Sequence, residues 1–103
     1  MYKLGFYVPA SHLETVKQAL FEVGAGRIGN YDSCSWQVLG QGQYRPLDGS
    51  QPYQGQQGRV ETLAEYRVEL VCEDHLLPAA IAALRLAHPY ETPAYDVVEL
   101  VAC

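Results

Sequence analysis

Residues 88–96 read HPYETPAYD and concentrate the groups of this chain best suited to chemistry. A histidine with neighbouring carboxylates suits zinc or another divalent ion. His88 and Glu91, with Asp96 as a further oxygen donor, therefore form a candidate metal site. Spacing argues against a complete ligand set. His12 and His75 stand at no fixed distance from His88, there is no HxH or HxxxH pair, and Cys34, Cys72 and Cys103 form no CxxC pair. A structural role competes with the metal: Pro89 pushes His88 out of helical geometry, and an imidazole at a helix C-terminus, as donor or cation, caps the chain there.

Ser33, Cys34, His88 and Asp96 can be combined into a nucleophile triad on paper, but no nucleophile elbow or cysteine-protease context surrounds them. Cys34, alternating with polar serines beside Trp36, reads more simply as a core residue. The eight tyrosines carry more information. Tyr31, Tyr53 and Tyr90 fall in loops, where amphipathic rings suit ligand pockets or interfaces. GAGRIG, residues 24–29, matches GxGxxG by letter. A dinucleotide motif follows a strand and opens a helix. Here a helix precedes and a strand follows, so the motif meets the negative helix end, and the glycines cap and turn the chain instead.

The elements that must position these groups belong to a chain of 103 residues, expected to form one domain over 1–103. With 49% hydrophobic and 18% charged residues it can fold around a modest core. Twelve acidic against seven basic residues, net −5, with no Lys/Arg cluster, argue against nucleic acid. No 18-residue apolar run supports a membrane role, and no cleavable signal is visible. Reduced thiols in a cytoplasmic protein are the expectation.

YKLGFYVP reads as a strand ended by Pro9. SHLE opens a helix, with Ser11 and Glu14 as a capping box. Leu13, Val16, Leu20 and Val23 form its stripe, and Gly24 ends it. YDSCSWQVLGQGQYRP is a second strand with Cys34, Trp36 and Val38 on one face; Gly40 and Gly42 suggest a bulge or a close approach. Residues 46–58 form a long polar loop expected to be mobile or held by a neighbouring subunit. RVETLAEYRVELVCE is the strongest strand, with Tyr66, Val68, Leu70 and Cys72 on a packed face and Glu65, Arg67 and Glu69 on a wet one. A helix starts between Asp74 and Pro78, its core face supplied by Ile81, Leu84, Ala80 and Ala87. AYDVVELVA closes the order β-α-β-β-α-β. This is the α+β, ferredoxin-like arrangement: a four-stranded antiparallel sheet with two helices on one face, and Trp36, Tyr66, Val68 and Leu70 in or near the core.

With that order in place, ALFEVGAGRIGNYDSCSW, GQGQYRP with QPYQGQQGRVE, EYRVEL and HPYETPAYDVVEL together resemble the YqfO/Nif-three-like family. The resemblance covers about residues 3–100. It is narrowest to the domain inserted in the longer members, here expected to stand alone. The dinuclear metal centre of the long members belongs to their flanking domain and does not carry over. The inserted domain is similar to PII signalling proteins and CutA divalent-ion-tolerance proteins, which are ferredoxin-like trimers. CutA-type proteins carry an HPYE string before their last strand, matched by His88, Pro89, Tyr90 and Glu91. In PII-type proteins the loop between the second and third strands contacts partners and small ligands bind between subunits; residues 45–58 take that place here without matching the PII loop in sequence.

The resemblance implies a small PII/CutA-like homotrimer binding a small ligand or protein partner at subunit clefts, with no catalytic residues and no resident cofactor. A divalent-metal-binding protein using His88 and Glu91 is the alternative. Candidate ligand or interface residues are Tyr31, Tyr44, Arg45, Tyr53, His88, Tyr90, Glu91 and Tyr95.

Overall fold

The computed structural model describes residues 1–102; Cys103 lies outside the described residues. Strand β1 spans Tyr2–Val8 and helix α1 Leu13–Glu22, after a 3-10 turn at Ala10–His12. Strands β2 (Trp36–Tyr44) and β3 (Glu61–Cys72) form a long hairpin. A second 3-10 turn, Asp74–Leu76, leads into α2 (Leu77–Ala87), and β4 spans Tyr95–Glu99. The sheet order is β2-β3-β1-β4 and all neighbours are antiparallel. This is the expected ferredoxin-like topology, in which the two outer strands are β2 and β4. No helix among the described residues is long and apolar enough to cross a membrane.

Alternation decides which residues meet the helices. Leu4, Phe6 and Val8 of β1 and Val68, Leu70 and Cys72 of β3 point to one face and are buried. Leu13, Val16 and Leu20 of α1, with Ala80 and Leu84 of α2, close over them. Tyr66 and Val23 pack at the margin. Burying such aliphatic and aromatic side chains contributes about 1.5–3 kcal/mol each. Ile81 is only half-buried, and the fourth position of the α2 face is taken by Leu77, together with Ala87.

Helix α1 ends as its sequence dictates. Gly24 takes a φ of +98°, its amide bonds the Phe21 carbonyl, and the Ala25 amide bonds Leu20. These two reverse bonds satisfy carbonyls that the last turn would leave open. The start of α1 differs from expectation. His12 N–H bonds Pro9 C=O, so Ser11 sits inside the 3-10 turn and not at the cap. Its hydroxyl contacts His12 Nδ1, Glu14 pairs with Lys17, and the capping box does not form.

The second strand is shorter than expected. Ser33 has a φ of +56°, and Cys34 N–H bonds Gly26 C=O, so extended pairing begins only at Trp36. Cys34 is therefore a half-buried loop residue outside the core. Trp36 and Val38 do share a face, but it is the face without helices: they pair with Glu69 and Arg67 and stay 58% and 47% exposed. Trp36 is thus not a core residue. Gln37 points to the helix side, where it accepts a bond from Lys17. The β2–β3 register runs unbroken through Gly40 and Gly42, so there is no bulge. Gly42 instead allows a close approach: a Cβ there would lie 2.0 Å from Glu65 Oε1.

Candidate functional site

The end of the sheet where β1 finishes and β4 begins receives three separate segments. HPYE leaves α2, the start of β3 passes beneath it, and the β2–β3 loop folds back over both. His88 anchors the arrangement. Its amide bonds Leu84 C=O and ends α2, while Pro89 follows in a position a helix cannot occupy. The side chain is 6% exposed. Its Nε2 lies 2.6 Å from the Tyr7 carbonyl and its Nδ1 3.1 Å from the Tyr90 amide. These partners define a neutral tautomer: Nε2–H donates and Nδ1 accepts. Burial lowers the pKa of His88 from its ordinary value, against the opposing influence of Tyr7 and Glu65, so the neutral form is favoured. His88 ends the helix through its backbone amide, while its imidazole, neutral and not a cation, bonds the Tyr7 carbonyl of β1 and the Tyr90 amide in place of capping an α2 carbonyl.

Tyr90 continues the anchor. Its ring lies 4.6 Å from that of His88, and its hydroxyl donates to Glu65 Oε2 at 3.0 Å. Burial first, and then the Glu65 carboxylate as acceptor and negative neighbour, raise the Tyr90 pKa well above the tyrosine range. The loop closes from above. Glu91 Oε1 accepts the Gln51 amide at 3.0 Å, Tyr44 donates its hydroxyl to the Gln54 carbonyl, and Gly58 N–H bonds Pro46 C=O. The Tyr53 ring meets His12 edge-on at 5.8 Å and Tyr90 at 6.0 Å. Loop 46–58 is therefore held by its own chain, where the sequence leads one to expect a segment that is mobile or held by a neighbouring subunit.

Between these parts lies a cavity of about 280 Å³. Its walls include Tyr7, Tyr44, Tyr53, Tyr90, Glu65, Glu91, Gln43, Ser50 and Pro52. Four expected residues meet here: Tyr44, Tyr53, Tyr90 and Glu91, with His88 behind Tyr90. Three do not. Tyr31 is 75% exposed at a separate turn, bridged to Ile28. Tyr95 accepts a bond from Arg85 and stacks with it. Arg45 does not line the cavity. Tyr7 and Glu65 were missed. The available signal was alternation, which sets Tyr7 on the face of Lys3 and Gly5, and Glu65 on the wet face of β3, beside the loop.

The donors of the proposed metal site are otherwise engaged. Both His88 nitrogens and one Glu91 oxygen hold backbone groups, and Asp96 accepts two bonds from Arg67 at 2.9 and 3.1 Å. Among the described residues no group of three or more His, Cys, Asp or Glu could hold a metal ion. Nor is the paper triad assembled: Asp96 is committed to Arg67, His88 to Tyr7 and Tyr90, and the Cys34 thiol faces the Asp32 carbonyl.

No protein-family model matches the chain. Among curated proteins, it is 48% identical over 95 residues to a GTP cyclohydrolase 1 type 2 homolog of Mycobacterium leprae, covering 92% of this chain and 25% of that protein. Among solved structures, a Bacillus cereus protein related to NIF3 superposes with a TM-score of 0.83 at 38% identity, over 96% of this chain and 25% of that one. The PII-like protein CutA from Nostoc superposes with a TM-score of 0.69 at 18% identity, over 97% and 81% of the two chains. The last likeness establishes fold alone. The chain spans about a quarter of the length of the curated relatives it matches.

Proposed function

From its place in the YqfO/Nif-three-like family, as the counterpart of one quarter-length, PII/CutA-like segment of the long members, we propose that this chain is a self-assembling binding module and not an enzyme. Its ligand site is the cleft roofed by the β2–β3 loop. The observation that carries the reading is convergence: four tyrosines and two carboxylates, from β1, β2, β3, the loop and the HPYE segment, surround one cavity. Ligand sites combine apolar walls with a few placed polar groups in this way. The cyclohydrolase in the names of the relatives describes proteins about four times as long, and among the described residues no catalytic constellation is assembled to carry it over.

Self-assembly is supported by the sheet face without helices. Trp36, Val38 and Val98 are exposed there, and β2 and β4 leave edge groups open. On β2 the apolar Trp36 and Val38 point away from the helices while Gln37, Gln41 and Gln43 point toward them, with Leu39 the exception. Closed symmetry satisfies such a surface without open-ended growth, and the likeness to PII and CutA proteins favours three copies. Light scattering coupled to size exclusion tests the assembly, with three chain masses expected; one chain mass persisting on concentration would sink it. A thermal-shift screen of nucleotides, amines and divalent ions tests the cleft. A positive shift from a cleft ligand is expected to disappear in Tyr53→Ala.

A further inference from the structure

We infer that the cleft is selective for a small organic cation of the alkylammonium type. The inference rests on the reading of the cleft as a ligand site and names the chemistry of its ligand. Tyr7, Tyr44, Tyr53 and Tyr90 bring aromatic rings to the cavity wall, and the Tyr53 and Tyr90 rings stand 6.0 Å apart at an interplanar angle of 45°. Ring faces carry negative electrostatic potential, and tilted aromatic walls are the usual means of holding a quaternary or substituted ammonium. Two further lining residues are Glu65 and Glu91, while no Lys or Arg is among the residues lining the cavity. Each carboxylate is fixed through one oxygen, Glu65 by the Tyr90 hydroxyl and Glu91 by the Gln51 amide. The charge is thus oriented by the fold before any ligand arrives.

A cation on one of the lining rings supports the same reading. The Arg67 guanidinium lies 5.0 Å from the Tyr7 ring centroid, so one of these rings already takes a cation on its face. Arg67 offers nothing to an incoming anion, because Asp96 binds it through two nitrogens and Glu69 lies beside it. An anionic ligand would meet two carboxylates with no free base among the lining residues. At about 280 Å³ the cavity falls just below the range of roughly 300–1,000 Å³ for ordinary ligand pockets. The occupant is therefore small, and the loop above it favours a free molecule over a side chain of a folded partner.

Choline and its uncharged isostere 3,3-dimethyl-1-butanol have nearly the same shape and separate charge from fit. Titrations of the unmodified protein, followed by the backbone amide NMR signals of Gln51, Tyr53 and Tyr90, are expected to show choline binding at least about tenfold more tightly than the isostere. Glu91→Gln keeps the shape and is expected to weaken choline several-fold while leaving the isostere unchanged. Equal binding of the two compounds, or tighter binding of acetate or a nucleotide at the same amides, overturns the cation inference and leaves the cleft as a ligand site. Amides that stay silent to every probe at millimolar concentration overturn both readings.

Discussion

The two faces of the sheet differ in what their residues ask for. Toward the helices, Leu4, Phe6, Val8, Val68 and Leu70 find complete apolar partners within the chain. On the other face Lys3, Arg67, Glu69 and Asp96 form a string of ion pairs across β1, β3 and β4. Gly5 makes room for it: a Cβ there would lie 2.3 Å from an Arg67 nitrogen and 2.9 Å from Asp96 Oδ1. Beside that string stand Trp36 and Val38, apolar and uncovered. One face is finished by folding. The other carries an ordered string of ion pairs beside apolar side chains that nothing in the chain covers. The cleft lies where the open face meets the hairpin loop.

The hardest break belongs to the finished face. Phe6 is fully buried at its centre, and Phe6→Ala removes a ring that nothing nearby can replace. The expected loss is about 3–5 kcal/mol, a large part of the 5–15 kcal/mol typical of a domain. Urea unfolding followed by circular dichroism measures it. A loss below about 1 kcal/mol would mean that this face does not carry the fold.

His88 joins the finished core to the cleft. His88→Ala leaves the Tyr7 carbonyl and the Tyr90 amide without their partner, at a cost of about 1–3 kcal/mol. Its titration has a definite sign. Burial holds the folded-state pKa below the ordinary value of 6.5. The unfolded chain therefore takes up a proton first on acidification. Stability from this group is full above about pH 6.5 and is lost as pH falls through the folded value. Melting temperatures from pH 8 to 5 should decline more in the native protein than in the His88→Ala variant, compared with the same declines from other groups. An identical pH slope in both would remove His88 as the source.

The open face is expected to yield less. Arg67 and Asp96 are partly exposed, with Asp96 about half so, and a double-mutant cycle to alanine should give a coupling of only about 0.5–1 kcal/mol. Its acid window lies elsewhere. Bonding to Arg67 holds Asp96 below the usual 3.8, so this contribution is present above that value and is lost as pH falls through the lower folded one. Coupling measured at pH 7 should fade in strong acid and not near neutrality.

The helix-facing pattern was legible because the chain supplies both sides of it. Strand periodicity in Glu65–Cys72 and the helical stripe of Leu13, Val16 and Leu20 each find their partner in the same fold. Trp36 was misplaced by the same rule. Alternation tells which residues share a face, as it did for Trp36 and Val38, but not which face has a helix over it. The cleft was half legible. HPYE and the long loop announced themselves by composition, but Tyr7 and Glu65 enter only because the antiparallel β1–β3 pairing brings the end of β1 beside the first half of β3. The start of α1 failed for a local reason: a 3-10 turn took the place where the capping box would have formed.

The smallest expected effect on stability is the most informative about the open face. Trp36 lies on edge strand β2 and is 58% exposed. Removing a side chain that is mostly in water changes folding by about 0.5 kcal/mol or less. The same ring buried between copies would be a large aromatic anchor, and truncating such an anchor costs about 2 kcal/mol or more of association. Trp36→Glu sharpens the contrast by adding a charge that a closed apolar contact cannot accommodate. The variant should therefore keep the unfolding profile of a dilute single chain while losing the assembled mass in light scattering. If assembly survives Trp36→Glu unchanged, the contact between copies avoids this part of the sheet, and the exposed apolar residues of β2 must serve a different partner.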